Sequence, residues 1–171
     1  TIYPDGTVVC QSVLLPRGNP LELLRLGYEL QLPANMDNVT YYGRGPEENY
    51  ADRKSGMPLG VYRTTARDSF FPYGRPQDCG NHEDTRWVAV TDDKGQGLLF
   101  GSVGAPFAFS ALPYTTTDLI LANHPVELPK TTDKTVLVLS SATRGLGGAS
   151  CGPGPMSRDI IKANKPYPLS F

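Results

Sequence analysis

Apolar and β-branched residues in this chain fall into short runs, and each run ends near turn-forming residues such as Gly, Pro, Asn or Asp. Runs of this kind predict β-strands, and the clusters between them predict turns. Residues 92–97 are the predicted turn of a hairpin, and residues 51–82 are predicted to be an irregular segment whose aromatic rings pack on the sheet. The predicted strands are Thr7–Leu15, Leu23–Leu32, Asn38–Tyr42, Arg86–Thr91, Leu98–Val103, Phe107–Ala111, Thr135–Ser140 and Tyr167–Phe171.

One short helix interrupts this pattern near residues 115–122. Thr115 can cap a helix, and Asp118 three residues later completes a capping box in which Asp replaces Glu. Pro125 follows closely, so the helix is predicted to be short. The sequence therefore predicts an all-β fold with one short helix and, at 171 residues, a single domain with a sizeable core.

Composition supports this fold and argues against several function classes. The 18 glycines and 16 prolines break helices and supply turns. A net charge of −1 without a basic run argues against nucleic-acid binding and against attraction to a membrane surface. No apolar stretch approaches the roughly 20 residues that a spanning helix needs. Residues 1–10 lack a signal-peptide pattern, so any export signal is expected outside this chain, and bacterial cytoplasm and periplasm both stay open.

Cysteine and histidine spacing predicts neither a disulfide framework nor a metal site. Cys10, Cys79 and Cys151 are odd in number and far apart, which is typical of small buried or half-buried thiols. His82 and His124 belong to no H-x-x-x-H pattern. We expect His82 to bond a backbone carbonyl and His124 to close the helix. The alternative is that a His and a Glu act as acid and base on a sugar anomeric centre.

Residues 41–53 carry the most specific pattern in the chain, Tyr-Tyr-Gly-Arg-Gly-Pro-Glu-Glu-Asn-Tyr-Ala-Asp-Arg. A strand runs into turn formers and then into many directed hydrogen-bonding groups, which predicts a loop of fixed shape. The string resembles the G-x-GP-x-ENY-x-DR signature in the C-terminal domain of lac-type family 2 β-galactosidases. Within this loop we expect Asp52 and Arg53 to form an ion pair or to bond loop backbone. The resemblance marks as structural signature residues Gly45, Pro46, Glu48, Asn49, Tyr50, Asp52 and Arg53.

Four further segments carry the same resemblance in the same order, and one of them, residues 107–128, follows the family's next strand and short helix. Leu24-Arg25-Leu26-Gly27 is similar to the family's PRIG strand, with Leu in place of Pro. Residues 76–87 are similar to the family's PQE-x-GN-x-x-D-x-RW segment and depart from it at Asp78; Trp87 there is expected in the core. Residues 145–153 are similar to a glycine-rich loop near the C-terminus of these enzymes. The similarity spans about Leu24 to Phe171.

This resemblance implies an antiparallel super-sandwich, a fold also seen in galactose mutarotases. It implies a parent enzyme that hydrolyses terminal β-D-galactosides with retention. The family's acid/base and nucleophile glutamates lie in a separate (β/α)₈ barrel, and nothing in this sequence looks like that barrel. The chain is thus expected to be inactive alone, to be the later part of a longer domain and to be partnered by the barrel and other domains. Bare strand edges would favour association between copies of it. Any Mg²⁺ or Na⁺ of the parent would lie in those other domains, with no cofactor expected here.

Neighbouring acidic pairs in this chain argue the same way. Retaining glycosidases hold two carboxyl groups about 5–5.5 Å apart across the sugar. Adjacent residues on a strand point to opposite faces, so sequence neighbours make poor catalytic partners. We expect a solvated turn for Asp92/Asp93 and bonding within the signature loop for Glu47/Glu48, and no catalytic role for Glu83/Asp84.

The Gly145–Pro153 loop is the best candidate for contact with substrate. Its glycines allow close backbone approach and positive φ angles. In lac-type relatives this loop carries a Trp that walls the active site, whereas Ser150-Cys151-Gly152-Pro153 stands here. A smaller, softer wall puts lactose preference in doubt and suits a different or bulkier aglycone. The alternative is a loop merely shaped by glycine. The candidate rim residues are Gly147, Gly148, Ser150, Cys151 and Gly152.

Two rival functions remain open from the sequence. A free-standing carbohydrate-binding module would bind galactosides through exposed aromatic residues. An aldose epimerase-like enzyme would speed the mutarotation of galactose and depend on His82 or His124. Neither rival explains the signature loop as well as the resemblance does.

Overall fold

The structure is a computed structural model that describes residues 1–18, 23–148 and 151–171. Within these residues it contains ten strands and one α-helix, α1 (Thr116–Leu121). The strands are β1 (Gln11–Leu14), β2 (Arg25–Pro33), β3 (Asn38–Arg44), β4 (Leu59–Thr65), β5 (His82–Thr85), β6 (Trp87–Thr91), β7 (Gly97–Gly101), β8 (Phe107–Leu112), β9 (Lys134–Thr143) and β10 (Tyr167–Ser170).

Two four-stranded antiparallel sheets form the body of the molecule. Their strand orders are β2-β9-β8-β5 and β4-β3-β6-β7, and β1 pairs with β10 in a separate ribbon. Alternate residues of β3 and β6 are buried, as expected for strands with one face on the core. The described part of the chain thus confirms an all-β sandwich with one short helix. The core includes Val39, Tyr41, Val88, Val90, Phe107, Phe109, Leu137 and Leu139.

Strands β8 and β9 are buried along most of their length. A second buried cluster joins the end of β8 to α1 through Leu112, Leu119 and Cys79. Phe70 and Tyr73, from the ring-rich segment, pack against this cluster, as the sequence predicts. The segment that connects β4 with β5, and so joins the two sheets, is therefore held in place by this second cluster.

The helix confirms its predicted cap. The side chain of Thr115 accepts a hydrogen bond from Asp118 N at 3.0 Å, and Thr115 N donates to the Asp118 carboxylate at 2.9 Å. Because the helix ends at Leu121, the prediction that His124 closes it is wrong. His124 instead lies on the surface, with its Nδ1 3.0 Å from Glu127 Oε1. None of the described helices is long and apolar enough to cross a membrane.

Several predicted strand bounds need correction. Strand β1 is shorter than Thr7–Leu15 because the chain turns at Gly6 and residues 1–9 fold back on themselves. The prediction of an irregular segment over 51–82 is wrong at β4, which pairs along all of β3. The β-branched and aromatic residues of that strand outweigh Gly60. Strand β9 runs three residues past Ser140 because β2 pairs with it as far as Thr143.

Two side-chain predictions also need correction. Trp87 is only half-buried because it shares the outer face of its sheet with Tyr42, its partner on β3, while Val88 faces the core. Cys79 is buried as predicted, and burial raises its pKa to about 11. Cys10 and Cys151, in contrast, are exposed because they lie beside an edge strand and in a surface loop.

Gly27 on β2 is predicted to be indispensable for packing against β9. A Cβ at this position would lie 2.0 Å from Leu139 O and 2.7 Å from Ser140 Cα, both backbone atoms of a central strand. We expect Gly27→Ala to lower the free energy of unfolding by about 2 kcal/mol or more, because a central strand must shift. Gly101→Ala on β7 is the matched control, since a Cβ there meets nothing within 4 Å. Equal denaturant midpoints for the two variants would contradict this packing.

Candidate functional site

The signature loop is anchored by a buried side chain, Asn49. Its Nδ2 donates to the carbonyls of Arg44 and Glu47, both at 3.0 Å, and its Oδ1 accepts from Glu83 N at 2.8 Å. Its backbone O accepts from Asn81 Nδ2 at 2.7 Å. Asn49 has no exposed surface, so each of these groups depends on a protein partner. One amide thus fixes the start of the loop to β5.

Glu48 ties the same loop to the ring-rich segment. Its carboxylate accepts from Tyr50 OH at 3.0 Å, from Gly80 N at 2.7 Å and, in a very short contact, from Tyr73 OH. Burial and the neighbouring Glu48 carboxylate raise the pKa of Tyr73 to about 12 and raise that of Tyr50 still further. The prediction that Glu48 bonds within the loop is confirmed, and its partners extend beyond the loop.

The turn into the signature loop is equally fixed. The peptide bond between Gly45 and Pro46 is cis, and Gly45 N donates to Pro58 O at 3.2 Å. The hydroxyl of the buried Tyr41 donates to Pro46 O, and the two oxygens are 3.3 Å apart. The structure therefore places the signature residues from Gly45 to Tyr50 in one continuous hydrogen-bonded unit.

His82 lies beneath this unit as a buried imidazole. Its Nδ1 is 3.0 Å from Tyr41 OH and 3.1 Å from Arg44 O, which confirms the predicted bond to a backbone carbonyl. The ring also stacks on Phe109, with centroids 5.2 Å apart. Burial lowers the pKa of His82 to about 4. It is a neutral packing residue at physiological pH.

Glu83 and Asp84 do not diverge as adjacent strand residues normally do. Both contact Lys54 Nζ, at 3.7 and 2.9 Å. The strand register shifts at this point, and Asp84 has a φ of 53°, which turns its side chain towards the loop. Burial disfavours the Asp84 anion, but hydrogen bonds from Arg44 and Lys54 outweigh it and lower the pKa. Sequence reasoning missed Lys54, although it directly follows the signature motif.

Asp52 and Arg53 reach out of the signature loop to the glycine-rich loop. The Asp52 carboxylate accepts from Leu146 N at 3.0 Å and from Gly147 N at 2.7 Å. The Arg53 guanidinium donates to Gly147 O at 2.7 Å. Burial raises the pKa of Asp52, but these backbone donors outweigh it and lower the pKa overall. Of the two predicted roles, bonding to loop backbone is confirmed.

The glycine-rich loop is closed on itself by direct backbone contact. Gly147 has a φ of 62°, and a Cβ there would lie 2.5 Å from Gly154 C. Gly148 N donates to Pro153 O at 2.7 Å, so the two sides of the loop touch. Cys151 and Gly152 are exposed at its surface. Ser150 lies outside the described residues.

Two open cavities adjoin this loop and share Tyr50, Gln77, Asp78 and Leu146. The smaller holds about 190 Å³ and the larger about 610 Å³. Glu48 and Asp78 are the carboxylates that line the larger cavity. Asp78 Oδ1 accepts from Arg25 Nη1 at 2.9 Å, and burial nevertheless raises its pKa. No group of three or more His, Cys, Asp or Glu within the described ranges is arranged to hold a metal ion.

The fold and the site define an all-β sandwich domain whose surface loops are fixed by buried polar side chains. The chain belongs to the β-galactosidase small chain family, whose model matches residues 1–171. It is 44% identical over 147 residues to β-galactosidase BgaC of Bifidobacterium adolescentis, covering 84% of this chain and 14% of that protein.

Two further relatives extend the comparison. A β-galactosidase of Priestia megaterium is 38% identical over 173 residues, covering 100% of this chain and 16% of that protein. A β-galactosidase small subunit of Latilactobacillus sakei is 41% identical over 132 residues, covering 71% of this chain and 41% of that protein. The chain therefore spans about a sixth or less of the length of the two full β-galactosidases.

Loss of the Asn49 amide is predicted to weaken the whole domain. Asn49→Ala leaves the Glu47 carbonyl and the Glu83 N–H without their Asn49 partner and removes one of the two donors to the Arg44 carbonyl, which should lower the free energy of unfolding by about 2–4 kcal/mol. Asn123→Ala, at an exposed asparagine, should change it by no more than about 0.5 kcal/mol. Urea denaturation of both variants checks this. Indistinguishable midpoints would mean that the network contributes little.

The buried His82 predicts a loss of stability in mild acid. Unfolded His82 takes up a proton near pH 6.5, whereas the folded residue resists until about pH 4. The contribution of His82 to the free energy of unfolding is therefore fully present above pH 6.5. It declines as the pH falls towards 4, by up to about 3 kcal/mol. Denaturation measured at several pH values should show this decline in the unsubstituted chain and in His124→Gln. In His82→Phe, which has no group to titrate there, the decline should shrink by about that amount, and an unaltered decline would refute the assignment.

Proposed function

We propose that this chain is a non-catalytic part of the C-terminal domain of a family 2 β-galactosidase. The parent enzyme hydrolyses terminal β-D-galactosides with retention, and its reactive carboxylates lie in a separate barrel. This portion supports the barrel and lends the Gly145–Pro153 loop to the rim of the active site. Membership of the β-galactosidase small chain family and the names of the relatives support the proposal.

The observation that carries the non-catalytic assignment is the state of the acidic side chains. A retaining glycosidase needs one ionised carboxylate able to attack the sugar and a second that gives up a proton. Glu48 already accepts three hydrogen bonds, and Asp78 is paired with Arg25. Glu83 and Asp84 share Lys54. These acids build structure, which is consistent with reactive groups elsewhere in the polypeptide.

A supporting role fits the outer face of the β4-β3-β6-β7 sheet. Val61 on β4 and Tyr42 on β3 are cross-strand partners on that face. Leu99 on β7 is paired with Ala89 on β6, farther along the same sheet. Val61 is 62% exposed and Leu99 is 69% exposed. An apolar sheet face of this kind suits packing against another part of the parent enzyme. The relative named as a small subunit supports association with a larger catalytic chain.

The rim assignment concerns the residues around Cys151. This exposed thiol lies in the part of the loop where lac-type relatives present a tryptophan. A thiol is smaller than an indole, so the opening beside the sugar is wider than in those relatives. We propose that the parent accepts a different or bulkier aglycone than lactose provides. Mg²⁺ or Na⁺, where the parent uses them, belongs to its other domains.

The two rival functions have less support. An aldose epimerase needs an imidazole that reaches the sugar, whereas His82 is buried and bonded to Tyr41 and the Arg44 carbonyl. A carbohydrate-binding module needs an open aromatic platform. The outward ring of Tyr42 lies under Arg86, whose Cζ is 5.7 Å from the ring centroid, and the more exposed ring of Phe71 packs against Tyr73 with centroids 4.5 Å apart.

Activity measurements test the division of labour. The purified chain is expected to show no hydrolysis of a nitrophenyl galactoside. In the full-length enzyme, Glu48→Gln and Asp78→Asn should keep kcat within about tenfold, whereas loss of a reactive carboxylate typically lowers it by several orders of magnitude. Turnover that tracks the purified chain would overturn the assignment, as would near-complete loss of kcat in a folded Glu48→Gln or Asp78→Asn enzyme.

Aglycone selectivity tests the rim assignment. Cys151→Trp in the full-length enzyme should change the ratio of kcat/KM for nitrophenyl galactoside and lactose by about tenfold, because a large ring enters the leaving-group side. Cys10→Trp, at the other exposed cysteine, is the matched control and should leave the ratio unaltered. The same ratio in both variants would place the loop away from the active site.

A further inference from the structure

Two loops that are about 95 residues apart in sequence meet through Asp52 and Arg53. Asp52 accepts from two successive backbone N–H groups of the glycine-rich loop, Leu146 and Gly147. Arg53 donates to the carbonyl of Gly147, the second of the same two residues. Three hydrogen bonds, each with a charged side-chain partner, therefore fix both the position and the rotation of one peptide segment.

Sterics confine the same segment from its other side. Gly145 N donates to Asp159 O at 2.8 Å. A Cβ on Gly145 would lie 2.7 Å from Asp52 Cγ and 2.9 Å from Asp159 Cβ. The loop therefore begins at a gap between Asp52 and Asp159 that is wide enough only for glycine, and the Asp52 carboxylate forms one side of this gap. Any larger residue at 145 would push Asp52 away from the N–H groups that it holds.

We propose that Asp52 and Arg53 are positioning residues that set the glycine-rich loop, and with it Cys151, at the rim of the active site. This inference rests on the proposed function and deepens it. It assigns the Asp-Arg end of the signature motif a task different from that of its Glu-Asn-Tyr centre. The Glu-Asn-Tyr centre stabilises the fold of the domain, whereas Asp52 and Arg53 position the neighbouring glycine-rich loop.

Exposure separates these two tasks. Asn49 is fully buried, so its loss weakens the fold. The side chains of Asp52 and Arg53 are exposed, and their hydrogen bonds within the described residues go to a surface loop, so they contribute little to global stability. Their removal should shift the loop and leave the sheets intact. The expected consequence is weaker binding of the leaving-group side of the substrate in both ground and transition states, which raises KM and leaves kcat nearly unaltered.

Asp92 supplies a closely matched control. Its Oδ1 accepts from Lys94 N and Gln96 N, both at 2.9 Å, in the exposed hairpin turn that the sequence predicts. Asp92→Ala therefore removes the same chemistry as Asp52→Ala, an exposed carboxylate bonded to two backbone N–H groups, at a site away from the glycine-rich loop.

The test compares Asp52→Ala, Arg53→Ala, Gly145→Ala and Asp92→Ala in the full-length enzyme. We expect the first three to raise KM for a nitrophenyl galactoside by about tenfold, with kcat within about twofold. The melting temperature should be unaltered in Asp52→Ala and Arg53→Ala, whereas the buried and crowded Gly145→Ala should also lower it. Arg53→Lys, which keeps one donor and the charge, should recover part of the loss. Asp92→Ala should match the parent enzyme. Asp52→Ala kinetics equal to those of Asp92→Ala, together with an unaltered rate of Cys151 modification, would overturn the inference, and so would a fall in melting temperature that accounts for the loss.

A second readout does not depend on activity. The rate at which a maleimide modifies Cys151 should change by about threefold or more in Asp52→Ala, while the rate at Cys10 stays constant and serves as an internal reference. An unaltered Cys151 rate would contradict the positioning role. If Cys151→Trp alters aglycone selectivity but Asp52→Ala alters nothing, the positioning role fails and the rim assignment stands. If the Cys151 rate responds but neither variant alters kinetics, positioning stands and the rim assignment fails.

Discussion

The hydrogen bonds of one buried amide hold this domain in shape. Asn49 connects the chain that leaves β3 with the chain that enters β5, and so joins an inner strand of one sheet to an edge strand of the other. A buried amide must satisfy its donors and acceptor at once, which allows essentially one backbone arrangement around it. Glu48 and His82 act in the same way, each buried or half-buried against more than one partner. The signature motif is therefore best understood as a polar core between two apolar sheets.

The sequence predicted the strands with strong apolar alternation and the capped helix correctly because local chemistry decides them. The hairpin of β6 and β7 and the Thr115–Asp118 capping box are both local in sequence. Strand β4 escaped prediction because Gly60 interrupts its β-branched and aromatic residues, and the strand is completed by pairing with β3, a partner some 20 residues away. In such a segment, tertiary pairing adds to a local propensity that glycine obscures.

The candidate site was predictable in its residues but not in its connections. The motif identified Asp52 and Arg53, and the glycines marked a loop of close backbone contacts. Nothing local indicated that these two features bond each other, because the contact joins positions nearly a hundred residues apart. Lys54 and the hydrogen bond from Tyr73 to Glu48 were missed for the same reason, since both depend on acidic partners from other segments. Side-chain chemistry can be read along a chain, whereas a network appears only once the chain is folded.

We propose above all that this chain shapes a pocket whose reactive acids belong to another module. The most direct measurement is a crystal structure of the full-length enzyme with a galactoside analogue bound. We predict that the loop around Cys151 contacts the aglycone and that no carboxylate of residues 1–171 lies within hydrogen-bonding distance of the anomeric carbon's substituents. An analogue bound with Glu48 or Asp78 at its anomeric centre, or far from the glycine-rich loop, would contradict the claim.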